Sequence, residues 1–264
     1  MFTASKIAIA TDLHLDKARP ETVATFLGSL GGVQADIMLL AGDLSNRANY
    51  SEHLALLARE FGRPVILVRG NHDFFGGSMK SADACHARAI DEAGDVMHLN
   101  GDQVVEIADG VGIIGHDGWY DGISGLGIAT PNEIPGLMEI TEYRNGNRDI
   151  SFKIMLARSH ESAEAIARGI VQAARKGITR IIVLTHVPPF VEATRYNGSV
   201  TSDELLPFFC NAPLGEVLLA FSRERPDVRI HILCGHTHRA SRMVLGNLSV
   251  ETLAGKSGHP RSTG

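Results

Sequence analysis

Cysteine is scarce in this chain, and the three that occur, Cys85, Cys210 and Cys234, stand far apart and in no C-x-x-C pair. An odd, scattered set builds no disulfide framework and offers no thiolate zinc site, so all three are expected as small core residues. Positive charge is short as well. Lys and Arg number 25 against 30 Asp and Glu, a formal net charge of −5, which argues against a broad basic face that would hold nucleic acid through its phosphates. Long apolar runs are missing: stretches such as Ile37 to Ala41 and Ile181 to Leu184 fall far short of the roughly 20 residues that span a bilayer. Between Met1 and the strand-like KIAIAT segment there is no room for a charged n-region, an apolar h-region and a cleavage site. A cytoplasmic location without membrane association is therefore expected.

What the sequence does hold is enough apolar material for a large core: 44% of its 264 residues are hydrophobic and 21% charged, which suits one large globular domain, 1–264. Short apolar runs recur at Lys6–Ala10, Ala35–Ala41, Pro64–Val68, Val111–Gly115, Arg180–Leu184 and Val228–Leu233. They read as strands buried on both faces. Between them, helix-like stretches cover Glu21–Leu30, Ser51–Phe61 with Gly62 as the stop, Ala82–Ala93, Phe152–Lys176 with Gly177 as the stop, and Leu214–Arg225 before Pro226. This alternation predicts an α/β fold. Around Gln103–Ala108 and from Met243 to Leu253, strand-like runs meet across Asp-Gly or Gly-Asn turns with no helix between them. These predict hairpins added to the sheet, hence mixed strand directions. Residues 117–149 are rich in Gly and Pro and read as a loop inserted over a site, and 255–264 as a fraying tail.

The chemistry lies in what ends the strands: Asp12-Leu13-His14, Gly42-Asp43, Gly70-Asn71-His72-Asp73, Thr185-His186 and Gly235-His236-Thr237-His238. In an extended segment residues i and i+2 project to one side, so Asp12 with His14, and His236 with His238, can reach a common point. Ligands of open α/β sheets gather beyond the carboxyl ends of the strands, which is where all five clusters fall. Taken singly, each cluster has an ordinary reading: a Gly-Asp turn, a capping asparagine, a satisfied loop histidine. Five such accidents at one edge are far harder to accept than one site.

This ordered set, Asp-x-His, Gly-Asp-(x)n-Arg, Gly-Asn-His-Asp, His and Gly-His-x-His, resembles the calcineurin-like metallophosphoesterase superfamily from Ile7 to Arg239. The resemblance implies a four-layer α/β/β/α sandwich with two mixed sheets and a dinuclear metal centre at the strand ends. Asp12, His14 and His238 would hold one ion, Asn71, His186 and His236 the other, and Asp43 would bridge them. A carboxylate has two oxygens to share, whereas an imidazole gives one lone pair per ion. An all-nitrogen-and-oxygen set suits Mn, Fe, Zn or Ni and does not choose among them. The mechanism implied is in-line attack on phosphorus by a hydroxide bridging the two ions, without a covalent intermediate.

His72 matches the family's general acid, and Arg47, four residues past Asp43, matches the phosphate-binding arginine of the phosphoprotein-phosphatase branch; its planar fork suits two phosphate oxygens. The chain departs from that branch at Asn46, which stands where an aspartate would pair with the catalytic histidine. Asn46 can orient His72 through its amide oxygen but brings no charge to raise the imidazole pKa. Asp73 either compensates or points away to cap a turn. Trp119 and Tyr120 form either an aromatic wall beside the ions or the packing under a long loop, and Arg158 and His160 face either the site or solvent. The expected substrate is a small phosphate mono- or diester. A nuclease of the same superfamily and a non-catalytic metal-binding scaffold are the alternatives.

Overall fold

A computed structural model describes residues 3–133, 135–144, 146–255 and 262–263. Its strands are, in chain order, β1 (Ile7–Ala10), β2 (Ile37–Ala41), β3 (Val65–Val68), β4 (Val96–His98), β5 (Val105–Ala108), β6 (Val111–Gly115), β7 (Arg180–Leu184), β8 (Arg195–Tyr196), β9 (Ser199–Val200), β10 (Arg229–Cys234), β11 (Ser241–Leu245), β12 (Leu248–Thr252) and β13 (Ser262–Thr263). The α-helices are α1 (Pro20–Ser29), α2 (Tyr50–Phe61), α3 (Met79–Ala93), α4 (Arg148–Arg175) and α5 (Ala212–Glu224). One sheet runs β13-β1-β2-β3-β4 and the other β11-β12-β10-β7-β6-β5, while β8 and β9 form a separate hairpin. Pairing is parallel from β1 to β4 and from β12 to β6; β5, β11 and β13 are antiparallel edges.

Both hairpins expected from the sequence are present, and so is the four-layer order. Side chains of a strand alternate between faces, and β2 shows the consequence. Met38 and Leu40 meet Leu27, Leu54 and Leu57 of α1 and α2, while Ile37, Leu39 and Ala41 meet Ile113, Leu184 and Leu233 of the other sheet. Beyond that second sheet, Ile166 and Ile170 of α4 and Leu214 and Leu218 of α5 cover Ile181, Val183, Ile230 and Ile232. Each such side chain, fully buried, contributes roughly 1.5–3 kcal/mol of transfer free energy. Helix ends follow local chemistry: Gly62 takes φ 65° after α2, and the Ser78, Asn147 and Asn211 side chains accept hydrogen bonds from the first turns of α3, α4 and α5. The Ser78 and Asn147 caps explain why α3 and α4 begin earlier than their apolar periodicity alone indicates.

Cys210 and Cys234 are buried and Cys85 half-buried, all three unbridged. Among the described residues no helix is long and apolar enough to cross a membrane. Of the expected tail 255–264, residues 256–261 and 264 lie outside the described residues, and Ser262–Thr263 pair with β1. The described part of 117–149 is pinned by an aromatic cluster of Phe74, Trp119, Tyr143, Phe152 and Phe208. Trp119 is core there, its indole N–H donating to Tyr143 Oη at 2.9 Å.

One buried ion pair fixes the relation between the two sheets at the edge where the motifs lie. Past β6, Asp117 accepts from the backbone N–H of Arg69 at 2.8 Å, from its Nε at 2.9 Å and from its Nη2 at 2.6 Å. His98 Nε2, at the end of β4, lies 2.6 Å from the same carboxylate. Burial alone would raise the Asp117 pKa, but Arg69 and His98 outweigh it and hold the carboxyl well below its ordinary value. The stabilisation is thus present above the unfolded value of roughly 4 and lost as pH falls through the lower folded value. Asp117→Asn keeps shape but leaves Arg69 with only the half-exposed Asp83, 2.8 Å from its Nη1, as a charge partner, and is expected to cost about 3 kcal/mol in urea unfolding at neutral pH; a loss below about 1 kcal/mol would show that the pair is not what joins the sheets there.

Candidate metal centre

Parallel pairing sends the carboxyl ends of β1, β2 and β3 in one sheet, and of β6, β7 and β10 in the other, toward one edge of the sandwich. The loops leaving that edge carry every ligand-type residue read from the sequence, and the two sheets contribute jointly. His238, after β10, places Nε2 3.3 Å from Asp12 Oδ1, after β1, and 3.2 Å from His14 Nε2. Asp43, after β2, lies between two histidine groups: its Oδ2 is 3.6 Å from His14 Nε2 and its Oδ1 is 3.4 Å from His186 Nε2. Asp12, His14, Asp43 and His238 bring one donor atom each within 4.8 Å of one another.

These spacings fit an ion better than they fit hydrogen bonds. Two donors each about 2.1 Å from one ion stand roughly 3.0–3.4 Å apart at octahedral or tetrahedral angles, and the His14, His238, Asp12 and His186 separations fall in or near that range. Buried polar atoms normally find partners, yet His186 Nε2 and Asn71 Oδ1 are buried without a hydrogen bond. His14 Nδ1 is likewise buried without a partner, whereas His186 and His236 each commit one ring nitrogen. His186 Nδ1 is 2.7 Å from the Ala41 carbonyl and His236 Nε2 is 2.7 Å from the Phe208 carbonyl. A carbonyl only accepts, so these nitrogens donate, leaving His186 Nε2 and His236 Nδ1 with free lone pairs. Burial pushes His14 and His236 down to about 3, keeping both rings in the neutral form that binds metals. Burial opposes ionisation of Asp43 too, but His186 and His72 outweigh it and hold the carboxyl well below its usual value. Against the burial of its own ring, Asp43 and Asp12 drive His186 up to about 10. The pocket thus calls for positive charge, which a cation would supply in place of that proton.

The backbone is strained where the ligands sit. Among the described residues six non-glycine positions have positive φ, and five of them are Asp12 (51°), His14 (43°), Asp43 (55°), His236 (71°) and His238 (56°); each left-handed residue costs roughly 1–2 kcal/mol. This corrects the expectation that strand alternation aims Asp12 with His14 and His236 with His238: both pairs lie past their strands, and left-handed residues aim them. Gly42, with φ 90°, leaves no alternative residue, because a Cβ would stand 2.6 Å from both Gly70 N and His186 Nδ1.

Around this centre three expectations are resolved differently. The Asn46 amide oxygen accepts from Asn49 N at 3.1 Å, a turn contact rather than one to His72. Arg47 donates from Nε and Nη2 to the Gly76 carbonyl at 3.1 and 2.6 Å and does not line the cavity. Asp73 takes the turn-capping option: its buried carboxylate accepts from the backbone N–H groups of Asp43, Ser45 and Gly70 at 3.0, 3.0 and 2.7 Å. His72 instead meets Lys17, whose Nζ donates to its Nδ1 at 3.0 Å. Lys17 was not legible as a site residue; its place in the turn just after His14 is the signal that could have found it. Asn71, which could have been only a cap, makes no cap hydrogen bond.

A cavity of about 610 Å³ opens on the centre, lined by Asp43, Asn71, His72, His236 and His238 together with Tyr120, Leu137, Tyr196, Phe209 and Arg239. Tyr120 stacks on His236 with ring centroids 5.7 Å apart, and among the described residues of 117–149 Tyr120 and Leu137 line the cavity. His160 faces solvent, and Arg158 lies over the Trp119 and Phe74 rings.

The sequence profile of the family described as calcineurin-like phosphoesterase matches residues 5–240. No curated protein matches the chain significantly. Among solved structures, phosphopantetheinyl hydrolase from Mycobacterium tuberculosis is similar with a TM-score of 0.61 at 14% identity, over 98% of this chain and 95% of that one. A protein from Thermus thermophilus gives 0.54 at 14% identity over 97% and 91%. A purple acid phosphatase from yellow lupin gives 0.50 at 14% identity, over 98% of this chain and 45% of that one. At such identities the likeness is one of fold.

Divalent cations should stabilise chelator-stripped protein in thermal unfolding, by about 2.7 kcal/mol at a hundredfold excess over Kd. Asp43→Asn preserves the shape of the central side chain and removes its charge, and most of that gain is expected to disappear. An undiminished gain in the variant would place the cations elsewhere.

Proposed function

The chain belongs to the calcineurin-like phosphoesterase family, and from that membership and the strand-end geometry we propose that it hydrolyses phosphate mono- or diesters with two divalent ions bound in this centre. Asp12, His14 and His238 would hold one ion; Asn71, His186 and His236 would hold the other. The observation that supports this most directly is the position of Asp43, its two oxygens turned to different histidines, Oδ2 to His14 at 3.6 Å and Oδ1 to His186 at 3.4 Å. Such ions, when bound, acidify a water and offset the charge of phosphoryl oxygens.

The chain's own residues prepare the rest. The Asp43 Oδ1 atom accepts the backbone N–H of His72 at 2.9 Å, so the residue between the ion sites also sets where His72 begins. An ammonium only donates, so the Lys17 contact leaves the imidazole proton on Nε2, the nitrogen 4.0 Å from Asp43 Oδ2 and turned to the centre. His72 thereby presents its Nε2–H to the leaving oxygen, and as that proton leaves, the Lys17 ammonium can pass one to Nδ1, so the ring ends neutral as it began and serves as the general acid. Asn46 and Arg47 serve the surrounding turns. The formal charge of −5 supports a small ester over a nucleic-acid strand.

Mn²⁺-loaded protein is expected to hydrolyse p-nitrophenyl phosphate or its bis-p-nitrophenyl counterpart, and the ratio of the two rates separates monoesterase from diesterase. Silence on both with Mn²⁺, Fe²⁺, Zn²⁺ and Ni²⁺ would favour the non-catalytic scaffold. His72→Ala should cost about 10²–10⁴-fold in kcat on alkyl esters with poor leaving groups and much less on the activated aryl esters; equal losses on both would take the acid role from His72.

A further inference from the structure

The cavity beyond the ion-binding residues carries a chemistry that hydrolysis alone does not require. A row of rings leads outward from its floor: His236 and Phe209 have centroids 5.1 Å apart, and Phe209 and Tyr196 are 6.1 Å apart. Tyr196, at the outer end, sits on the small β8–β9 hairpin and is 45% exposed. An aromatic ring left half in water at the mouth of a cleft is apolar surface awaiting a ligand. Arg239, directly after His238, lines the same cavity; it is exposed and, among the described residues, the sole lysine or arginine in that lining. Its guanidinium has no carboxylate or carbonyl partner among the described residues. The planar fork of an arginine matches a carboxylate or phosphate with two parallel hydrogen bonds.

We propose that the leaving group of the ester is a planar ring bearing a second anionic group, the ring lying along Phe209 and Tyr196 and the anion pairing with Arg239. The proposal rests on the phosphoesterase reading, which places the scissile phosphate at the histidine-lined floor. From that end, a small aliphatic leaving group would leave Tyr196 bare, and an uncharged ring would leave Arg239 unmatched. An ester with both features satisfies each wall in turn: charge at the floor, apolar contact along the rings, charge again at the rim.

Phosphonates, whose carbon–phosphorus bond is not hydrolysed by ester chemistry, test binding apart from turnover. Calorimetry on the metal-loaded protein would compare methylphosphonate, phenylphosphonate and 4-phosphonobenzoate. Affinity is expected to rise at each step, with 4-phosphonobenzoate about tenfold tighter than phenylphosphonate, the size of one charge-assisted hydrogen bond. Arg239→Gln should bring that last ratio to unity, and Tyr196→Ala should shrink the ratio of phenyl- to methylphosphonate severalfold. Equal binding of the two ring compounds by the unaltered protein, or an Arg239→Gln variant that keeps their tenfold ratio, would overturn the proposal while the function stands. Failure of all three compounds to bind protein that has taken up its ions would overturn both.

Discussion

Burial of the Asp43 carboxylate between two groups of histidines is the constraint on which the rest depends. A carboxylate 1% exposed is far from the water that would solvate it, and burying a charge is tolerated only with compensating charge or hydrogen bonds. Here the compensation comes from both sheets at once, His14 from the loop after β1 and His186 from the loop after β7. Asp12 adds a second buried carboxylate, itself driven upward by burial above all, with Asp43 adding to the rise. The excess of negative charge cannot be met by these imidazoles in their neutral, lone-pair-bearing form. It is a deficit with the sign and place of a divalent cation.

A site of this kind stores strain that the fold has to hold. Left-handed backbone at five candidate ligand positions, buried carboxylates near one another and unpartnered Nε2 and Oδ1 atoms would each relax if their loops could move. They cannot, because the loops are tied to one another and to the core. Asp73 gathers three backbone N–H groups from the loops after β2 and β3, the Arg69–Asp117 pair links the ends of β3 and β6, and His86 Nε2 meets the Asp73 carbonyl at 2.8 Å. Beneath them the inter-sheet layer of Ile37, Leu39, Ile66, Val68 and Leu233 supplies the stability against which the local cost is set.

Much of this could be read from residues alone, and the limits have physical causes. The strands at Val111–Gly115 and Arg180–Leu184 were legible to the residue, since a strand covered on both faces keeps an apolar run through its centre and each run is followed by a ligand-type residue or a turn. The edge strand β4 was not: Val96–His98 is three half-buried residues, too short to show a period. The seven ligand-type residues were legible because five motifs end at one sheet edge. Their backbone was not, since nothing in Asp-x-His distinguishes an extended pair from two left-handed ones. Arg47 and Asn46 were assigned by position relative to Asp43, and such spacing in a loop does not fix direction: the Arg47 side chain goes to the Gly76 carbonyl instead.

The partner of His72 shows why a local substitution is not read by type alone. A carboxylate at its Nδ1 would accept a proton and favour the charged ring; an amide oxygen would accept without adding charge. Lys17 reverses the polarity of the contact, donating where the others accept; burial above all, with Lys17 adding to it, outweighs Asp43 and shifts the ring below its ordinary value. The imidazole is thereby kept as a neutral donor through Nε2 rather than as a reservoir of charge. At a candidate cation site that choice is coherent, because a positively charged ring beside bound cations would add repulsion. Orientation is then supplied by the stem of the turn after His14, with the tilted ring of Phe75, its centroid 4.2 Å away, closing the other side. The same loop therefore carries His14, a candidate ion ligand, and Lys17, which aims the His72 ring, so under the proposed function ion binding and leaving-group protonation would be coupled through three residues of backbone.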